Sequence, residues 1–196
     1  ASAEGYVRDP ELVIDFYNER RKQLLDVEPN AGHTGLAELE KDFNVTVVTQ
    51  NVDNLHERAG STHVIHLHGE LTKVCSSRDP YNPRYVRELK PEEYEVKMGD
   101  KAGDGSQLRP FIVWFGEAVP EIETAIGYVE KADIFVIIGT SMNVYPAAGL
   151  LNYVPRTAEV YLIDPKPVDT HSMRQIHVIQ KGASEGVKEL KTEILH

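Results

Sequence analysis

The sequence predicts an α/β fold: a parallel sheet with helices on both faces and a small inserted module. Three observations carry this expectation. The runs VTVV (45–48), IFVII (134–138) and VYLI (160–163) are nearly continuous in apolar character, as strands buried on both faces require. They alternate with segments of helical periodicity. Residues 72–109 then break the rhythm with polar and turn residues, which marks an insertion into a main domain of residues 1–71 and 110–196.

Each element has a local reason. Asp9-Pro10 pairs an N-cap with proline at the first helical position, and the helix it opens runs to about Leu25. Leu12, Val13, Phe16, Leu24 and Leu25 form its expected buried stripe. Asn30 caps a second helix through Leu39, and NVTVVT (44–49) is a strand. NLHERAG (54–60) gives one or two helical turns closed by Gly60, and HVIHLHG (63–69) is the next strand. After the module come a strand at FIVWFG (111–116), a helix from Pro120 to about Lys131 and a strand at DIFVIIGTS (133–141). AAGLLNYV (147–154) is helical, EVYLID (159–164) a strand and SEGVKELKTEIL (184–195) a final helix.

Composition excludes several classes. The chain has 196 residues, is 41% hydrophobic and carries a net charge of -10, so it is globular and a poor general nucleic-acid binder. Arg20-Arg21-Lys22 is a local basic cluster that could hold an anion. The longest apolar run is far short of a membrane span, and no signal peptide is visible. A single cysteine, Cys75, rules out an internal disulfide and a four-cysteine zinc site, and fits a cytoplasmic location. The opening ASAEGYVRDPELV begins without a starting strand, so a further N-terminal segment is expected.

Ligands of doubly wound sheets bind outside the carboxyl ends of the strands. Three strands end in polar or glycine-bearing turns here: TQNVD (49–53), HGE (68–70) and GTSMNVYP (139–146). They form either one cleft or a set of helix caps. Thr140-Ser141 suits both, because a glycine turn lets backbone N–H groups approach phosphate or ribose oxygens. His66 and His68 share a strand face, but no third ligand accompanies them, so no metal is expected. His68, at the strand end, is placed to act as a general base. In FYNERR, Tyr17 and Arg20 are three apart and so neighbours on one helix face; they read as a carboxylate grip or as a solvated face. Trp114 and Phe115 beside Gly116 read equally as a wall for a peptide or acyl chain and as core packing.

Taken together, PNAGHTGLAELE, TQNVDNLHERAG, HLHGEL, RPFIVWFGE, GTSMNVYPAAGL and the weaker KGASEGV resemble the sirtuin family of NAD-dependent protein lysine deacylases. The resemblance implies a Rossmann-like NAD domain with a smaller inserted module. It implies that Gln50, Asn51 and Asp53 line the nicotinamide and ribose pocket, with Asn51 and His68 as catalytic residues. It assigns Gly139, Thr140, Ser141, Asp164 and Ala183 to NAD, and Val113, Phe115, Gly116, Glu117 and Val144 to the substrate backbone as an added strand. FYNERR resembles the Tyr-x-x-Arg signature of class III members, in which Tyr17 and Arg20 would hold the distal carboxylate of succinyl- or malonyl-lysine. The implied products are nicotinamide, O-acyl-ADP-ribose and free lysine, acetyl-lysine being a poorer substrate. The implied partners are acyl-lysine peptides or proteins, with the oligomeric state left open.

The chain departs from the family pattern in three places. The N-terminal strand, its Gly-Ala-Gly phosphate loop and the following Phe-Arg segment have no counterpart. Only Cys75 stands where four zinc cysteines would be, so no zinc is expected and packing through Tyr81, Tyr85, Tyr94 and Val96 must hold the module. LIDP offers Asp164 in place of the usual strand-end Asn. The rival readings are a non-catalytic NAD or ADP-ribose binder, an ADP-ribosyltransferase, and a metal-dependent hydrolase around His66 and His68.

Overall fold

The computed structural model describes residues 2–139, 147–170 and 174–195. In chain order the elements are α1 (Ala3–Arg8), α2 (Pro10–Leu24), α3 (Ala31–Glu38), β1 (Val47–Thr49), α4 (Leu55–Arg58), β2 (Val64–His66), β3 (Gly69–Ser76), β4 (Arg87–Glu88), β5 (Leu108–Ile112), α5 (Ile122–Val129), β6 (Ile134–Ile138), α6 (Ala147–Leu150), β7 (Glu159–Ile163), β8 (His177–Ile179) and α7 (Ala183–Ile194). Two compact units result. The first holds Ala1–Glu28, Thr49–Asn54 and His66–Pro120; the second holds Pro29–Val48, Leu55–Ile65 and Glu121–His196. Residues 72–109 all fall in the first.

In the second unit β6, β7 and β8 form a parallel sheet, with Val136 opposite Tyr161 and Tyr161 opposite His177. Its apolar runs account for the core. Tyr161, Ile163, Ile179, Leu39, Val187 and Leu190 are buried together, with Val136, Ile138 and Val45 packed against them. The asparagine cap at α3 is present: Asn30 Oδ1 accepts the His33 N–H while His33 Nδ1 accepts the Asn30 N–H, each at 3.0 Å. β8 is three residues long and too short for a periodic signal, which is why the sequence did not announce it.

Two elements end sooner than their apolar letters indicate. β2 stops at His66, so His68 lies in a turn and not on a strand face beside His66. The cause is Gly69, whose φ of +89° only glycine adopts cheaply and whose missing Cβ would stand 2.1 Å from the Phe111 carbonyl oxygen. β5 spans Leu108–Ile112, so Trp114 has already left the strand.

In the first unit β3 pairs antiparallel with both β4 and β5. Helix α2 begins as expected, Asp9 accepting the Leu12 N–H at 3.1 Å, but of the predicted stripe only Leu24 is buried. Leu12 is 64% and Phe16 52% exposed, whereas Ile14, Tyr17, Asn18, Arg21 and Leu24 are buried. The polar members earn that place through hydrogen bonds. Asn18 Nδ2 donates to the Val96 carbonyl at 2.8 Å and Asn18 Oδ1 accepts the Val96 N–H at 2.9 Å. Arg21 donates from Nε to Leu71 O at 2.8 Å and from Nη1 to Tyr94 O at 2.7 Å. Burial pushes the Arg21 guanidinium down to about 10, which still leaves it charged at neutral pH.

Hydrogen bonds also close the segment that carries the lone cysteine. Ser76 Oγ is buried, accepts the N–H groups of Arg78 and Asp79 at 3.0 and 2.9 Å, and donates to Asp104 Oδ2 at 2.5 Å. Ser106 Oγ donates to the other oxygen of Asp104 at 2.6 Å. These two hydroxyls hold the Asp104 carboxyl down at about 2. Val96 joins Ile14, Val74, Leu89, Ala102 and Leu108 in the local core, with Tyr6 against them. Cys75, next to Val74 on β3, is a buried thiol, pushed up to about 11 by burial.

Asn18→Ala strips the partners from both backbone groups of Val96 and should lower unfolding free energy by about 2–4 kcal/mol, read as a lower urea midpoint at unchanged m. Ser76→Ala should cost about 1–3 kcal/mol in the same measurement. A zinc chelator should leave the melting temperature of the parent chain unchanged. Because the Asp104 carboxyl is depressed, its stabilising effect is full above its ordinary value of 3.8 and is lost as pH falls toward about 2. Asp104→Asn should therefore flatten the acid limb of the stability curve.

Candidate active site

The polar stretch after β1 is fixed through its backbone. Thr49 Oγ1 accepts the Asn51 N–H at 3.0 Å. Thr49 O accepts the Leu67 N–H at 2.9 Å, and Val52 O accepts the Leu71 N–H at 2.7 Å. The loop 49–54 is therefore stitched at both ends to the segment 67–71, with Gln50 half-buried, Asn51 exposed and Asp53 half-buried along it. Helix capping would need only one of these side chains.

His66 has structural work to do. Its Nδ1 lies 3.0 Å from the Asn51 carbonyl, an acceptor that requires this nitrogen to carry the proton, and its Nε2 lies 3.8 Å from Glu70. That leaves it tying the loop to β3. His68 differs: it is half-buried, and among the described residues no hydrogen bond engages its imidazole. Burial pushes its pKa below the ordinary 6.5, so the ring is neutral at physiological pH and can accept a proton. The backbone carbonyl of His68 accepts the Val113 N–H at 2.8 Å, which joins this residue to the segment that follows β5.

That segment is a tight turn. The Glu117 N–H bonds Trp114 O at 2.9 Å, and Gly116 at the third position has φ +89°, as a type II turn demands. Glu117 Oε1 accepts the Trp114 N–H at 2.7 Å, closing the turn a second time. Phe115 at the tip is 91% exposed, whereas Trp114 is 3% exposed, so the two aromatic residues that the sequence leaves undecided divide: one is core and one is surface.

Tyr17 and Arg20 also divide. Tyr17 is buried; burial raises its pKa, with the Trp114 indole and Arg20 acting in the opposite sense, so its phenol remains a donor. Arg20 is exposed, its guanidinium 5.9 Å from the Phe16 ring centroid, and no carboxylate among the described residues pairs with it. The neighbouring Asn18 and Arg21, which anchor this helix, and Arg109 behind the turn were not singled out from sequence. Burial of a polar residue leaves no periodic trace.

In the second unit Gly139 follows β6, Asp164 follows β7 and Ala183 opens α7. Gly139 bonds Ile163 O through its N–H at 3.0 Å, and a Cβ built there would meet nothing within 4 Å among the described residues. Gly182, the N-cap of α7, supplies no side-chain partner to the helix N–H groups. A glycine after a parallel strand and a helix N-terminus without a side-chain cap are features that doubly wound sheets use for phosphates and ribose. Thr140, Ser141 and Val144 lie outside the described residues.

Comparison with known proteins identifies the family. The model of the Sir2 family matches residues 1–146. An NAD-dependent protein deacylase of Bacteroides thetaiotaomicron is 84% identical over 191 residues, covering 97% of this chain and 82% of that protein. One from Helicobacter pylori is 47% identical over 195 residues, covering 100% and 82%. Among solved structures, a Sir2 homolog–NAD complex superposes with a TM-score of 0.82 at 35% identity, over 98% of this chain and 75% of that one. A Sir2–p53 peptide–NAD+ complex gives 0.77 at 28% identity, over 98% and 81%. By the family match over residues 1–146 and these relatives, the chain belongs to the Sir2 family.

Proposed function

We propose that this chain is an NAD-dependent protein-lysine deacylase with a preference for acidic acyl groups, succinyl and malonyl. Family membership and the relatives' common activity support the deacylase reading. The acyl preference rests on one observation: a buried phenol and an exposed guanidinium, three residues apart on α2, with no protein carboxylate on the arginine among the described residues. A carboxylate at the far end of the acyl chain would accept two bonds from Arg20 and one from Tyr17. An acetyl group offers neither.

When bound, NAD would supply an electrophilic ribose carbon with nicotinamide as its leaving group. The chain's own residues do the rest. Neutral His68 accepts the proton of a ribose hydroxyl and so raises its nucleophilicity. Gln50, Asn51 and Asp53, on a loop fixed by the bonds to 67–71, orient nicotinamide and ribose. Gly139, Asp164 and Ala183 receive the rest of the dinucleotide, together with Thr140 and Ser141. Val113 and Phe115-Gly116-Glu117, with Val144, take the peptide backbone as an added strand. Acyl-lysine proteins are the partners and the cytoplasm the location in this reading. The single cysteine supports the location; no helix among the described residues is long and apolar enough to cross a membrane.

Succinyl-peptide incubated with NAD should lose its acyl mass and release nicotinamide in step; acyl loss independent of NAD, or none, would refute the reading. Arg20→Met should lower kcat/KM for desuccinylation by roughly 10–100-fold, as loss of hydrogen bonds to a charged group does, and leave deacetylation within about threefold. An equal loss of both would remove the carboxylate role. The base must be unprotonated, so kcat/KM should fall as pH drops, with a midpoint below the ordinary histidine value of 6.5. His68→Tyr should be folded and inert.

A further inference from the structure

Arg109 lies on β5 and is 4% exposed. A guanidinium buried to that degree loses its hydration and must be repaid by neighbours. Here its hydrogen-bond acceptors belong to β5 and the turn beyond it, with the Cys75 thiol and the Tyr81 phenol also alongside. Nη2 donates to Ile112 O at 2.9 Å and reaches Glu117 Oε1 at 3.4 Å, while Nε donates to Pro110 O at 3.3 Å. The guanidinium carbon stands 3.7 Å from the centroid of the Trp114 ring, within cation–π range. One side chain thus grips the last residues of β5, the indole that starts the turn and the carboxylate that ends it.

Glu117 is the hinge of this arrangement. The oxygen that faces Arg109 is the one that accepts the Trp114 N–H. The Tyr81 phenol lies beside it, and burial followed by the Glu117 carboxylate pushes that phenol up to about 12. The turn therefore has its two ends cross-linked by a carboxylate whose position is set by a buried cation, and it holds Phe115 out to solvent.

A buried ion pair is a weak stabiliser, and apolar residues of equal volume would serve a core as well. They would not fix where the Glu117 carboxylate sits, and so would not fix the turn. We propose that Arg109 is a positioning residue for the protein substrate: from inside β5 it sets the geometry of the Trp114–Glu117 turn, the edge to which the acyl-lysine peptide adds as a strand. This rests on the deacylase reading above and extends it to a residue that touches neither substrate nor NAD. Its effect falls on peptide binding, because the turn is made before the peptide arrives and is kept through the reaction.

The test is steady-state kinetics with a succinyl-lysine peptide and NAD on the full chain bearing Arg109→Lys, Glu117→Gln, or both. Lysine keeps the charge but not the planar fork; glutamine keeps an acceptor for the Trp114 N–H but not the ion pair. Each variant should raise the peptide KM about tenfold, the size expected for losing one charge-assisted contact, while kcat and the KM for NAD stay within about twofold. The double variant should be no worse than the poorer single one, because both break one link. A peptide KM within about twofold of the parent overturns the proposal, as does a fall in kcat or a rise in the KM for NAD of the same size as the peptide effect. If Arg109→Lys does not fold by circular dichroism, Arg109→Gln, which keeps an N–H donor for the Ile112 carbonyl but not the ion pair, decides by the same criteria; Glu117→Gln alone does not, because Glu117 itself faces the peptide. A parent chain with no NAD-dependent deacylation refutes the function proposed above; an active parent with unchanged peptide KM in the variants refutes only the role of Arg109.

Discussion

The first unit depends on the side of α2 that pattern reading discards. Asn18 and Arg21 are polar, yet they are the residues the helix buries, because each meets backbone groups that would otherwise be orphaned. An amide that both donates to and accepts from Val96 behaves like one more rung of a ladder. A guanidinium that bonds the carbonyls of Leu71 and Tyr94 fixes the helix to β3 and to the segment beyond β4 at once. Unmet, each of those groups would cost on the order of 1–3 kcal/mol. The rotation of α2 about its axis follows from these bonds. That rotation buries Tyr17 and leaves Arg20 in solvent.

The same economy runs through the rest of the unit. A metal knuckle would need four soft ligands, and the chain has one cysteine, held as a buried thiol. Ser76, Asp104 and Ser106 close the segment with hydrogen bonds instead, and two backbone N–H groups complete the clasp. A hydrogen-bonded closure of this kind senses acid through the Asp104 carboxyl. Arg109 repeats the device at the end of β5, where charge and geometry shape a turn. In each place a buried polar side chain is matched to backbone, and the match is what orients a neighbouring group.

Much of the architecture was legible in the letters. The apolar runs of β1, β6 and β7 named themselves, as did the caps at Asp9 and Asn30, because both signals are local. The stripe on α2 was misread because apolar letters were taken as the buried face; Leu12 and Phe16 stand in solvent. The strand through His68 was read one turn too long, since an unbroken apolar-histidine pattern hides the conformational break that Gly69 introduces. Trp114 and Phe115, adjacent and both aromatic, could not be separated until the turn put one inside and one outside.

The sequence by itself determined the family, the parallel strands and the residue types of the candidate site, because each depends on near neighbours along the chain: caps, periodicity and short motifs. Tertiary structure decided which of those residues are held and which are available. Asn51 lends its carbonyl to His66, so of the two histidines that share a motif only His68 keeps an unengaged imidazole among the described residues. Arg20, Arg21 and Arg109 are identical as letters. One is left in solvent, one anchors a helix and one braces a turn, because a guanidinium's role is set by which carbonyls, rings and carboxylates distant segments bring to it.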